Sequence, residues 1–246
     1  MFDKLQTSII AALLLTVLTT SAASRALLSS KHVKSVAGRK DDYDRYLLAT
    51  SWAGTTCKFN NCTHYGIDEW FNLHGLWPST AEQSPQNCAT VNFKQQNLSP
   101  YLKQNLFSVW NSFYHDNWEF LDHEITKHGS CWRPDYGDQS VMDSQLAQVL
   151  AGYDSADKFS GINTFLALTI SVAKLVDPYS ALKAAGIVPS DSQTYTIDRI
   201  VGVFAGLHNT ADTVMPVCLA EKSSGNLYLA ELRFCVDLNF KPIKCN

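Results

Sequence analysis

The chain reads as an α+β protein, and three observations point there. Strand-like runs sit at 43–53 and 70–76, and again near the C-terminus at 214–219 and 227–236. Helical periodicity fills the region between the two sets. Strands and helices follow no repeated β-α period, a pattern that selects α+β over the alternating class.

Each element has its own signal. Residues 1–23 have the form of a secretory signal peptide: Lys4 supplies a weak positive start, partly offset by Asp3, an apolar run follows over 8–19, and Ser21-Ala22-Ala23 fits a small-x-small cleavage site. The run is short for a membrane span, and no other stretch is expected to approach that length. Residues 24–42, with Lys31, Lys34, Arg39 and Lys40, read as a flexible leader, and 43–246 as one domain. The aromatic and aliphatic run 43–53 predicts a strand ending in a turn at Gly54, and 70–76 predicts a second that Pro78 stops. Leu102, Leu106, Val109, Trp110 and Phe113 recur at helical spacing, predicting an amphipathic helix over 98–117 opened by Ser99-Pro100. A helix over 118–128 should end at Gly129, and further helices are predicted at 143–151, 157–176, 180–185 and 197–207. No internal repeat or linker marks a second domain.

Of the 246 residues, 46% are hydrophobic and 17% charged, ordinary for a globular protein, and the net charge is −3. That balance argues against non-specific nucleic-acid binding through a broad basic face. Seven cysteines behind a signal sequence read as disulfides formed in an oxidising compartment. Cys57 and Cys62 lie close enough for a local loop, as do Cys235 and Cys245. Pairing Cys88 with Cys131 would tie together the two histidine segments described next and leave Cys218 over, although spacing alone fixes none of these pairs. Asn61-Cys62-Thr63 and Asn97-Leu98-Ser99 are glycosylation sequons, the first inside a tight loop and the second followed by Pro100.

Two segments hold the chemistry. One is His74-Gly75-Leu76-Trp77-Pro78. The other runs from Phe120 through His123-Glu124-Ile125-Thr126-Lys127-His128 to Cys131. On a helix with His123 at zero, Lys127 falls at about 40°, Phe120 at about 60°, Glu124 at about 100° and His128 at about 140°. Two imidazoles, a carboxylate and an ammonium on one arc are costly to bury without partners, so the arc asks for a ligand or a polar network. These are parts for cleaving RNA, whose 2′-hydroxyl is a nucleophile already beside the phosphorus. What remains to be supplied is a base, an acid and positive charge for the transition state. Histidine serves as either acid or base near neutrality. A zinc-protease helix needs His-Glu-x-x-His, but here Lys127 takes the second ligand place and His128 falls one residue late, so no metal and no cofactor are expected. No G-x-S-x-G elbow supports a serine nucleophile.

On these two segments the chain resembles the ribonuclease T(2) family, the secreted base-nonspecific ribonucleases related to the plant S-RNases. The resemblance covers roughly Tyr43 to the C-terminus. It implies a single domain with a central, mostly antiparallel sheet flanked by helices. It implies that His128 is the base and His74 the acid of the first step, that His123 contacts a phosphate, and that Glu124 and Lys127 stabilise the transition state. It matches Trp77 and Phe120 to positions that hold the 5′-side and 3′-side bases, in keeping with aromatic rings as sequence-tolerant platforms. Ile125 and Ser130 stand where tryptophan and threonine are usual, and Ser79 where some members carry an acidic base contact. The family often pairs the cysteine at the place of Cys218 with one beyond the position of Cys245.

The expectation is therefore a monomeric endoribonuclease, secreted or held in a lysosomal or vacuolar lumen and free of the membrane once its signal is removed. It would cleave single-stranded RNA through a 2′,3′-cyclic phosphate to 3′-phosphate ends. The alternative is a secreted RNA-binding or regulatory protein of the same fold without activity, which loss of either histidine would favour. Trp110 and Phe113 read as core, and His64, His115 and His208 as surface or structural residues.

Overall fold

The computed structural model describes residues 42–63, 71–133, 162–190, 192–208 and 212–245. The signal peptide expected at 1–23 and the leader expected at 24–42 lie outside these residues apart from Asp42, as do the helix expected at 143–151, the start of the one expected at 157–176, and His64.

Strands β1 (Arg45–Trp52), β2 (Phe71–Ser79), β3 (Val214–Ala220) and β4 (Leu227–Asp237) form one antiparallel sheet in the order β2-β1-β4-β3. β1 and β4 occupy the middle, so strands far apart in sequence lie side by side. Alternate residues divide between two faces. Tyr46, Leu48, Leu232, Phe234 and Val236 enter the main core. Leu47, Ala49, Trp77 and Cys235 form a smaller cluster, and Ser51, Glu231 and Arg233 stand at positions that alternate with the core residues of their strands. Burying each large apolar side chain of the main core stabilises the fold by about 1.5–3 kcal/mol.

Helices α1 (Ala53–Phe59), α2 (Pro100–Asn105), α3 (Asn117–Lys127), α4 (Ile162–Val176), α5 (Pro178–Ala184) and α6 (Ile197–His208) accompany the sheet. α4 packs on β1 and β2 with Thr164 through Val172 buried. Phe204 of α6 meets Phe234 of β4 edge to face with ring centroids 5.0 Å apart.

Four expectations from the sequence change. Gly54 is no turn, because the chain passes from β1 directly into α1. Pro78 does not stop β2, which runs on to Ser79; β2 is the edge strand, and an edge accommodates a residue without an N–H. The helix opened by Ser99, whose hydroxyl accepts from the amide of Leu102, ends at Asn105 and passes through a 3-10 turn at Leu106–Ser108. Beyond that turn tertiary contacts take over: the amide of Leu73 donates to the carbonyl of Val109, drawing the chain alongside β2. Finally, the run Ile162–Ala184 is long and apolar enough to cross a membrane by length and composition. It divides into α4 and α5 at Asp177, and most of α4 is buried in the core of the domain.

The three cysteine pairs suggested by spacing are disulfides: Cys57–Cys62, Cys88–Cys131 and Cys235–Cys245. Cys218 on β3 is a free thiol. Asn61 is exposed within the Cys57–Cys62 loop, and Asn97 ends a short 3-10 turn at Gln95–Asn97.

Candidate active site

His74 owes its direction to a β-bulge. Pairing between β1 and β2 passes from Ala49↔Gly75 to Thr50↔Leu73, which leaves His74 as the extra residue. Bulges of this kind redirect a side chain out of the strand's regular alternation. The His74 carbonyl accepts a hydrogen bond from the Trp110 indole at 2.9 Å, so the bulge is held from the far side by a ring buried in the core.

Gly75 is required by what approaches it. A Cβ there would collide with a carboxylate oxygen of Glu124 and with the Trp77 indole nitrogen. The open space lets α3 bring Glu124 against β2, where Glu124 Oε2 accepts from Trp77 Nε1 at 2.8 Å and Oε1 lies 3.6 Å from His74 Nε2. α3 itself is started by Asp116, whose carboxylate accepts from the amide of Trp118, and it ends at His128, whose amide donates to the Glu124 carbonyl. Gly129 follows, and its missing side chain allows Phe165 of α4 to pack closely beneath.

Both imidazoles rest on Trp77. His74 meets its ring edge-on with centroids 5.1 Å apart, and His128 stacks on it at 4.8 Å. Phe120, partly exposed, lies 5.8 Å from the His74 ring. The structure therefore gathers His74, Glu124, His128, Trp77 and Phe120 into one cluster. His123 and Lys127 line an open cleft of about 460 Å³ with Asn87, Glu119, Asp122 and Thr126, and their charges act on Glu124 and His128. The helical arc is thus split: Glu124 and His128 face inward and are buried, while His123 is exposed and Lys127 half-buried. Trp77 is buried too, and the Arg233 guanidinium lies over its ring at 5.2 Å. That placement makes the indole a wedge between the two imidazoles. Ser79 is buried, donating to the Trp77 carbonyl and paired with the Ser84 hydroxyl.

Two residues not identified from the sequence join the cluster. Glu231 Oε1 lies 2.7 Å from His74 Nδ1. Its other oxygen accepts from Arg233 through Nε at 2.9 Å and Nη2 at 2.7 Å. Their signal was present: a carboxylate and a guanidinium two apart in the middle of a largely apolar strand share one face and need a partner. What the sequence alone did not disclose was that β1–β4 pairing sets that face beside His74.

The charges push the groups in different directions. Burial works against a charged His74, but the hydrogen bond to Glu231 and the charges of Glu124 and Glu231 outweigh it and Arg233, raising its pKa above the ordinary imidazole value. Burial, then the charges of Lys127, His74 and His123, lower His128 to about 3. Burial raises Glu124 above the usual carboxylate range despite His74, the Trp77 hydrogen bond, His123 and Lys127. Burial also disfavours a charged Glu231, yet the hydrogen bond and charge of His74, together with Arg233, bring it down to about 2. Among the described residues no group of three His, Cys, Asp or Glu side chains could hold a metal ion.

The family model described as Ribonuclease T2 family matches residues 43–245. Ribonuclease DdI of Dictyostelium discoideum is 27% identical over 155 residues, covering 63% of this chain and 59% of that protein. Ribonuclease T2 of Sus scrofa is 23% identical over 205 residues, covering 83% and 90% respectively. In the matches to ribonuclease DdI and to ribonuclease T2 of Aspergillus oryzae, the chain spans 59% and 49% of those proteins. Among solved structures, ribonuclease MC1 from bitter gourd seeds superposes with a TM-score of 0.62 at 21% identity, over 80% of this chain and 91% of that one. This last likeness is one of fold.

Proposed function

The chain belongs to the ribonuclease T2 family, and from that premise we propose that it is an endoribonuclease acting on single-stranded RNA by acid–base catalysis between His128 and His74. The observation that carries the reading is the opposed setting of two imidazoles packed on one indole. An imidazole kept neutral is suited to accept a proton, and one kept charged is suited to donate it.

His128 takes the proton of the 2′-hydroxyl as that oxygen forms its bond to phosphorus. The bond from phosphorus to the 5′-oxygen breaks, and His74 delivers a proton to the departing oxygen. Water then opens the 2′,3′-cyclic phosphate with the two roles exchanged, leaving a 3′-phosphate. With Nδ1 engaged by Glu231, His74 presents Nε2 to the leaving oxygen. Burial raises the pKa of Glu124, which makes its carboxyl readier to share a proton with a phosphate oxygen. From the cleft side Lys127 brings positive charge and His123 contacts a phosphate oxygen. Phe120, beside His74 and partly exposed, is the ring available to a base. The protein acts as a monomer, without metal or cofactor, and follows the secretory route to an extracellular or lysosomal or vacuolar compartment. Three disulfides fit that route. Asn61 is exposed, as a glycan acceptor must be.

The test is incubation of purified protein with single-stranded RNA and with DNA in excess EDTA. RNA should be cleaved to cyclic phosphates and DNA left intact, and His74→Ala and His128→Ala should each abolish cleavage. Inhibition by EDTA, equal cleavage of DNA, or activity retained in both variants would contradict the proposal. RNA binding without cleavage by the unmodified protein would favour a non-catalytic RNA-binding role.

A further inference from the structure

The last strand holds a carboxylate, Glu231, that binds His74. Glu231 stands opposite Ser51 in the β1–β4 ladder, and Arg233 stands opposite Ala49. Oε1 lies 2.7 Å from His74 Nδ1 and accepts from the Ser51 hydroxyl at 3.2 Å. Oε2 receives two guanidinium nitrogens of Arg233. The Glu231 side chain is only 13% exposed, so its charge depends on these partners. Arg233 is in turn placed over the Trp77 ring. Ser51 and Arg233 together fix the carboxylate from two strands and leave one oxygen edge for the imidazole.

We infer that Glu231, clamped by Arg233, is a positioning residue for the reaction: it binds Nδ1 of His74, aims Nε2 at the leaving oxygen, and keeps the imidazole protonated as the acid. The inference rests on the ribonuclease reading of the site. A carboxylate on one ring nitrogen settles which nitrogen is left for chemistry and stabilises the imidazolium. The groups facing His74 divide the work. On β4 are Glu231 and the opposing cation Arg233; on α3 are Glu124 at 3.6 Å and the Phe120 ring; on β2 is the Trp77 ring. The cation of His74 also acts on His128, and the charge of Glu231 reaches the Tyr114 phenol. Glu124 lies nearer Nε2 and has a raised pKa, so it is the weaker holder of charge. Glu231, on Nδ1 and held ionised, is the stronger.

A substrate pair separates this role from a structural one. A dinucleotide has an alkoxide leaving group that needs the proton of His74, whereas a uridine 3′-(4-nitrophenyl phosphate) leaves as a stable phenolate and does not. Glu231→Gln should lower kcat on the dinucleotide by about 10²-fold, the lower end of general-acid effects, with KM little changed. Cleavage of the aryl ester should fall far less than that of the dinucleotide, and an unaltered circular dichroism spectrum should show that the variant is folded. The alkaline limb of kcat/KM on the dinucleotide should move to lower pH, because His74 then loses its proton more readily. Equal loss on both substrates with an unmoved limb, or no loss on either, would overturn the inference. In the unmodified protein, the imidazole nitrogen shifts of His74 should show a protonated, hydrogen-bonded Nδ1, and a bare Nδ1 would overturn it without any variant. If the unmodified protein cleaves neither substrate, the ribonuclease reading itself fails, a result distinct from the others.

Discussion

His74 and His128 are the same side chain packed on the same indole, yet the two sides of the site treat them oppositely. On the sheet side, β4 supplies a carboxylate that binds His74 directly, with Glu124 close by. On the helix side, His128 is buried, its Nδ1 has no hydrogen-bond partner, and its charged neighbours are cations. One imidazole gains a partner for its positive charge, and the other loses water without gaining one. In the proposed mechanism that difference is what separates two identical groups: environment moves their pKa values apart, and the separation assigns the roles of acid and base.

The base works above its own pKa and the acid below its own. Because His128 is lowered to about 3 and His74 is raised above its ordinary value, kcat/KM should hold a broad plateau from acidic pH into the neutral range. Its acid limb reports His128 and its alkaline limb His74.

Four changes would break or sharpen this division. The largest effect belongs to His74→Ala and His128→Ala, each expected to lower kcat/KM on RNA by up to about 10⁴-fold, measured by steady-state cleavage of a dinucleotide. Lys127→Ala should cost about 10²–10³-fold in kcat by removing charge from the transition state. It also removes a cation acting on His128, so the base pKa rises and the acid limb moves to higher pH; an unmoved limb would detach Lys127 from the helix-side setting. Gly75→Ala, where the two sides touch, should destabilise by about 1–3 kcal/mol in urea unfolding and displace Glu124, since the new methyl meets its carboxylate. Last come the disulfides. Removing Cys88–Cys131, at the end of the His128 segment, should cost about 4 kcal/mol in the chain-entropy model, and Cys235–Cys245, on β4, about 3 kcal/mol, both read from denaturant midpoints.

The helix side was largely legible in the sequence, and the sheet side was not. His123 to His128 share a local helix, so spacing alone placed Glu124 and His128 on a common arc, although not which of the arc's members would be buried. His74 stood out through its neighbours Gly75 and Trp77, and the structure supplies their reasons: close approach of Glu124 and contact with both imidazoles. The bulge that aims His74 has no local signature, because it arises from pairing with β1. Glu231 and Arg233 reach the site through strand order, a non-local property that periodicity does not encode. The same competition explains the altered elements. The helix expected over 98–117 gives way where Val109 and Trp110 bond to β2, and β2 runs through Pro78 because, among the described residues, no strand pairs along its outer edge.

The most direct test of the division between the two sides is a proton NMR titration of the imidazole C2 protons, assigned with the two alanine variants. His74 should titrate above the ordinary histidine value of about 6.5 and His128 well below it, with the unprotonated form persisting into strongly acidic solution. The reverse order, or two titrations coinciding near the ordinary value, would contradict the assignment of His74 as acid and His128 as base.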